Sequence, residues 1–195
     1  AIAGDYIGLI VGGKVRDVAL TALCSRNEAH IREAAQRHGL QAAAFTDYGA
    51  MLRSGQVDAI LICTPHAQHP EMTRQALEAG LHVLGEKPVG IFADEVAEIL
   101  PVLAERPELV CGVMYNRRAA QAYRHVKNLV QSGELGELVR CSWIITNLYR
   151  TEAYYTSGAW RGTWQGEGGG LLMTQASHQL DLMQWICGMP VSVLA

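Results

Sequence analysis

The sequence predicts an α/β protein built on a doubly wound parallel sheet, and three observations carry that reading. Short apolar runs recur through the first 114 residues, the clearest being Val57-Asp-Ala-Ile-Leu-Ile-Cys63. Segments with helical periodicity separate them. Proline just inside the start of a helix (Pro70) and glycine just past its end (Gly80) punctuate at least one of those segments in the expected order. Strands alternating with helices describe a parallel sheet covered on both faces. After Met114 the alternation stops, which divides the chain into residues 1–114 and residues 115–195.

Taken in order, Tyr6-Ile-Gly-Leu-Ile-Val11 is an apolar run ending in Gly12-Gly13, and residues 18–24 form a second; both read as buried strands. Asn27 is placed to cap a helix over 28–38, with Gly39 as its stop. Residues 42–45 read as a strand and 48–54 as a short helix. The strand over 57–63 ends at Thr64-Pro65, and a helix runs from Pro70 to Gly80. Residues 81–84 form the next strand, 93–105 a helix that Pro101 kinks or breaks, and 109–114 a further strand. Beyond the boundary come a helix over 118–131, a turn at Gly133 to Gly136, a strand over 138–148, and a helix over 172–186 entered through Gly168-Gly169-Gly170.

Composition narrows the function. A chain of 195 residues with 49% hydrophobic content can bury a real core. Sixteen basic against nineteen acidic residues, a net charge of -3, provide no large basic surface, so nucleic acid is not an expected partner. No apolar run approaches the roughly 20 residues that span a bilayer, and the N-terminus has no charged-then-apolar pattern, so a cytoplasmic protein without a membrane partner is expected. The five cysteines are odd in number and widely spaced, which fits buried reduced thiols better than disulfides or a zinc site; no metal is expected.

Ligands of doubly wound sheets bind beyond the carboxyl ends of the strands, where Gly12, Ser25, Thr64 and Lys87 would lie. Gly12-Gly13 is the candidate phosphate turn, although only six residues separate the first two predicted strands and a parallel crossover needs a dozen or more. Lys87 stands at a strand end between Glu86 and Pro88. On the helix over 172–186, Leu172, Ala176, Leu180, Met183 and Cys187 fall on one apolar stripe. Thr174, His178, Asp181 and Trp185 fall within about 40° of one another on the opposite face.

Four pieces then resemble one family in their order and spacing: Thr64-Pro65-His66-Ala67-Gln68-His69-Pro70, Ala79-Gly80-Leu81-His82-Val83-Leu84-Gly85-Glu86-Lys87-Pro88, Tyr115-Asn116-Arg117-Arg118, and Gly168-Gly169-Gly170 through His178 and Asp181. The sequence is similar, from Tyr6 to Val193, to the glucose-fructose oxidoreductase and inositol dehydrogenase family of nicotinamide-dependent sugar oxidoreductases. The resemblance implies a Rossmann domain followed by a truncated α+β domain whose open antiparallel sheet carries the substrate site and an oligomer interface, hence a homo-oligomer. It implies Lys87 beside nicotinamide and substrate, and His178 as general acid or base, with Thr174 and Asp181 in support. Many members have aspartate at the place of Thr174. The loop of Thr64, Pro65, His66 and His69 would line the dinucleotide, joined on the cofactor side by Glu86 and Asn116, and the segment from Trp160 to Gly170 would border the substrate.

The residue types suit that chemistry. Taking a hydride from a carbinol carbon requires its hydroxyl proton to leave, and a histidine with an ordinary value near 6.5 accepts it at neutral pH. A lysine on the same oxygen stabilises the charge that develops. Ser25-Arg26 at the end of the second strand is a small hydroxyl followed by arginine, which favours the 2′-phosphate of NADP over NAD. The expected reaction is hydride transfer between NADP or NAD and a hydroxyl or ketone of a carbohydrate or cyclitol; the alternative is a non-catalytic sugar- or nucleotide-binding relative.

Overall fold

The structure, a computed structural model, describes residues 2–146 and 149–194. Its first element is not a strand. Ile2–Val11 forms helix α1, with only Ile7 buried and Ile2, Leu9 and Val11 exposed. The short link explains this outcome: a run that cannot reach a parallel neighbour must satisfy its backbone N–H and C=O groups locally. Gly12 donates its N–H to the Gly8 carbonyl at 2.9 Å and Gly13 to Ile10 at 3.0 Å, so the glycine pair closes a helix.

The next elements follow the sequence. Strand β1 covers Ala22–Cys24, α2 Glu28–His38, β2 Ala43–Phe45 and α3 Tyr48–Leu52. Asn27 Oδ1 accepts the Ala29 N–H at 3.0 Å, and Gly39 takes the left-handed conformation (φ 64°) that ends α2. Strand β3 is Ala59–Ile62, α4 His69–Glu78, β4 His82–Gly85 and β5 Cys111–Val113. The helix expected over 93–105 is broken into α5, Ala93–Ala97, and α6, Ile99–Glu105. Pro101 has no N–H for the Ala97 carbonyl and its ring crowds that carbonyl, which places the break three residues before the proline.

All pairings are parallel, but among the described residues they make two sheets, β1-β2 and β3-β4-β5. Alternation along β3 and β4 buries Ile60, Ile62 and Val83 against Ala76 and Leu77 of α4 and Ile99 of α6. The opposite face leaves Leu61 and Leu84 more than a third exposed. The strand ends Thr64 and Lys87 therefore project from the best-packed part of the molecule.

After a 3-10 turn at Asn116–Ala119 come α7, Gln121–Gln131, and α8, Glu152–Thr156, then α9, Trp164–Glu167, α10, Leu171–Thr174, and α11, Ser177–Cys187. No strand forms beyond Val113 among the described residues, so neither the strand over 138–148 nor the open antiparallel sheet is present there; residues 147 and 148 lie outside the described part. Residues 138–146 carry β-type side chains, Val139 and Ile144 among them, with no partner strand to bond them, and those two side chains are exposed.

The helix expected over 172–186 is interrupted between α10 and α11. An unbroken helix would give the Thr174 carbonyl to the N–H of His178, but this carbonyl accepts the Lys87 ammonium at 2.6 Å. The expected apolar stripe is also rotated. Of its members Ala176 is buried as expected, but Leu172, Leu180 and Met183 are exposed, whereas Gln179, Leu182 and Ile186 are buried. The thiols are free, yet Cys24 and Cys141 are exposed rather than buried.

Candidate active site

Two strand ends and one interrupted helix build the site. Lys87 follows β4, and Glu86 is pinned to the neighbouring strand by its N–H bond to the Ile62 carbonyl, 2.9 Å. The Glu86 carboxylate is engaged by the Tyr6 hydroxyl and by the Lys87 N–H. The Lys87 side chain can then cross to the second region, where the Thr174 carbonyl receives its ammonium. Burial, first of all, holds the Lys87 ammonium below its ordinary value, opposed by the Glu86 carboxylate and reinforced by Arg150 and Arg117.

His178 lies one turn beyond Thr174, edge-on to the Tyr115 ring at 6.0 Å. Its Nδ1 is buried with no protein partner among the described residues. Burial lowers its proton affinity most, and the charges of Lys87 and Arg117 lower it further. The shift favours the neutral imidazole, whose buried Nδ1 stands without a partner among the described residues.

The supporting residues divide differently from the expectation. The Thr174 hydroxyl is directed at the Gly170 carbonyl, 3.3 Å away, so the residue contributes its main-chain oxygen to the lysine instead of a side chain to the histidine. Asp181 is gripped by the Arg118 guanidinium, Nε at 2.8 Å, in a two-pronged pair, and Arg118 also lies over the Trp185 ring at 5.5 Å. Asp181 fixes α11 against the turn at residues 116–119; it makes no hydrogen bond to His178 among the described residues, and its charge still raises the His178 proton affinity.

On the cofactor side, Thr64 and Pro65 lie beyond β3, and Asn116 opens its 3-10 turn. His66 is stacked edge-on against Trp160 at 5.0 Å, and its Nδ1 is also buried without a partner. Burial, then the charges of His69 and Lys87, pushes its value down to about 4. His69 is 2% exposed and its two ring nitrogens face the Pro88 and Thr64 carbonyls, so it presents no open polar atom to a dinucleotide. Gly12 and Gly13 end a helix, with their N–H groups spent on its carbonyls, and do not form the expected phosphate turn. At the end of β1, Ser25 Oγ accepts the Asn27 N–H and Asn27 caps α2, while Arg26 is exposed. The two unpartnered imidazole nitrogens, at His66 and His178, fit a polar ring group and a hydroxyl placed near Lys87; the structure offers no comparable cradle for a pyrophosphate at Gly12-Gly13.

Trp164 and Glu167 lie in the segment from Trp160 to Gly170 that was expected to border the substrate, whereas Arg150, Tyr154 and Gln175 were not singled out in the sequence. A cavity of about 360 Å³ beside Thr174 is lined by Arg150, Tyr154, Trp164, Glu167 and Gln175. Arg150 donates to Gln175 Oε1 at 2.5 Å, Gln175 to the Tyr154 hydroxyl at 3.2 Å, and Arg161 to the same hydroxyl at 2.7 Å. Glu167 is 4% exposed; its Oε2 accepts the Gly162 N–H, while Oε1 has no partner among the described residues. An acid directly before a glycine run was its only sequence signal. Gly168 makes this wall possible: at φ 72° its ideal Cβ would stand 2.3 Å from Ile91 Cβ, so only glycine lets the segment lie on the loop after Lys87.

Comparison with known proteins gives the same order of parts. Residues 10–115 match the oxidoreductase family with an NAD-binding Rossmann fold, and residues 123–195 match the GFO/IDH/MocA C-terminal domain. The chain is 28% identical over 180 residues to a D-glucoside 3-dehydrogenase of Escherichia coli, covering 89% of this chain and 48% of that protein. It is 31% identical over 151 residues to an inositol 2-dehydrogenase of Leifsonia xyli, covering 76% and 40% respectively. The fold superposes with a TM-score of 0.82 on the WlbA dehydrogenase of Bordetella pertussis in complex with NADH and UDP-GlcNAcA, at 27% identity over 96% of this chain and 56% of that one. The chain spans about half the length of the curated relatives it matches. Both halves match in sequence order, and the protein belongs to the Gfo/Idh/MocA oxidoreductase family.

Proposed function

We propose that the protein containing this chain is a nicotinamide-dependent oxidoreductase acting on a hydroxyl or ketone of a sugar, sugar derivative or cyclitol. One observation carries the reading: the Lys87 ammonium is bound at the Thr174 carbonyl, on the segment that delivers His178, so the two reactive groups come to one place from the two parts of the chain. A bound nicotinamide supplies the hydride acceptor or donor. His178 takes the hydroxyl proton in oxidation and returns it in reduction, and Lys87 holds the same oxygen and stabilises its developing negative charge. The cavity beside Thr174, with Tyr154, Trp164, Gln175 and the free Glu167 oxygen, suits a polyol: aromatic faces for ring C–H groups and acceptors for hydroxyls.

Domain division near Met114 and assembly into homo-oligomers belong to the same proposal. So does the preference for NADP, which rests on Ser25-Arg26 and the exposure of Arg26. Nicotinamide fluorescence on titration with NADPH and NADH tests the reading. Binding of at least one is expected, and no binding of either at high micromolar concentration defeats it. Arg26→Ala should weaken NADPH by about tenfold and leave NADH nearly unchanged. Lys87→Ala should lower turnover by about 10²–10³-fold with little change in dinucleotide affinity; equal losses in both remove Lys87 from the chemistry.

A further inference from the structure

His69 has no assigned task once it is removed from the dinucleotide surface. It opens α4, its side chain is among the most deeply buried in the protein, and it meets two main-chain oxygens of different loops. Nδ1 lies 2.7 Å from the Pro88 carbonyl and Nε2 2.8 Å from the Thr64 carbonyl. Thr64 belongs to the loop that leaves β3, and Pro88 is the residue after Lys87 in the loop that leaves β4. Carbonyl oxygens only accept, so a neutral ring donates to one of the two and only a ring carrying a proton on each nitrogen binds both; in either form the rigid ring fills the gap between these loops with no rotatable bond between the contacts.

The peptide bearing Lys87 is thereby fixed from both sides. Before it, the Glu86 N–H is bonded to the Ile62 carbonyl; after it, the Pro88 carbonyl is held by His69. The lysine leaves this rigid base to reach the Thr174 carbonyl. The ring lies within a helix start packed under the loop: the Gly90 position faces Pro70, where an ideal Cβ would come within 2.5 Å of the Pro70 ring, leaving no slack on that side.

We infer that His69 is a positioning residue that clasps the loops after β3 and β4 and so sets the placement of the Lys87 amine, without itself touching cofactor or substrate. The inference rests on the proposed role of Lys87, and its main readout is independent of turnover. Replacement by glutamine retains a donor at one carbonyl and loses the rigid span. In His69→Gln, reductive methylation of Lys87 followed by mass spectrometry should accelerate about threefold or more as the amine leaves its buried seat, with exposed Lys14 as the internal reference. Turnover should fall by about tenfold to a hundredfold while NADH or NADPH affinity is kept. Unchanged Lys87 labelling overturns the inference. So does a loss of dinucleotide affinity equal to the loss of turnover, which returns His69 to the cofactor surface. A chain that binds no dinucleotide defeats the proposed enzyme and leaves the labelling result standing. Should the variant fail to fold, ¹⁵N-histidine spectra of the unaltered chain decide: a ring N–H slow to exchange with solvent and close to Thr64 or Pro88 is expected, and a rapidly exchanging His69 ring overturns the clasp.

Discussion

Residues 59–62 and residues 138–146 carry the same kind of side chains and have opposite fates. The first stretch is a strand paired along its length with β4, its Ile62 side chain 1% exposed; the second is unpaired, with Ile144 85% exposed. β-propensity describes how a side chain fits a sheet that already exists, and only the first stretch has neighbours that supply one. The β3-β4-β5 block carries a cluster of buried apolar side chains, and contacts to the helical region after Met114 include Lys87 to Thr174, Ile91 to Gly168, and His66 to Trp160.

That contrast sets the order of expected mutational effects. Ile62→Ala should cost about 2–5 kcal/mol, read as a lowered urea midpoint at unchanged slope; a small effect would mean the block is not the stabilising core. Gly168→Ala comes next, at about 1–3 kcal/mol, because the residue sits in the left-handed region against Ile91. It should also loosen the wall from Trp160 to Gly170, and a variant as stable as the parent would show that the segment does not lie on the Lys87 loop. A pH effect follows from His66, whose value falls from 6.5 to about 4 on folding. Between those limits the unfolded chain binds more protons, so stability should decline as pH drops from 6.5 towards 4, and be unaffected by this group above 6.5. Urea midpoints at several pH values should show a shallower decline in His66→Gln than in the parent. Smallest is Ile144→Ala, within about 0.5 kcal/mol; a large loss would place residues 138–146 in a packed sheet.

The same contrast explains what the sequence could disclose. Helix α2 was legible because Asn27 and Gly39 are local signals at its two ends, and β3, β4 and β5 because each is a short apolar run separated from the next by a helix-sized segment. Residues 6–11 were misread since apolar content alone does not distinguish a strand from a helix, although the six-residue link after them already argued against a parallel strand. The break at Gln175 was invisible for a different reason: it accompanies a hydrogen bond from a lysine 87 positions earlier. That Asp181 would act on His178 through charge alone was equally hidden: its hydrogen bonds go to Arg118, 63 residues away, whose planar fork fits a carboxylate. Lys87 and His178 were singled out through motif order, and the structure brings the Lys87 ammonium to the Thr174 carbonyl, four residues before His178.

The Lys87 contact has a consequence for how this protein can vary. Its acceptor is a main-chain oxygen, and every amino acid that might stand at position 174 brings that same oxygen. The tie between the two parts of the chain is therefore indifferent to the side chain there, so a change of threonine to another residue leaves it intact. Drift at position 174 can retune the neighbourhood of His178 while the lysine stays moored, so the surroundings of the histidine and the tie that holds the two parts together can change separately.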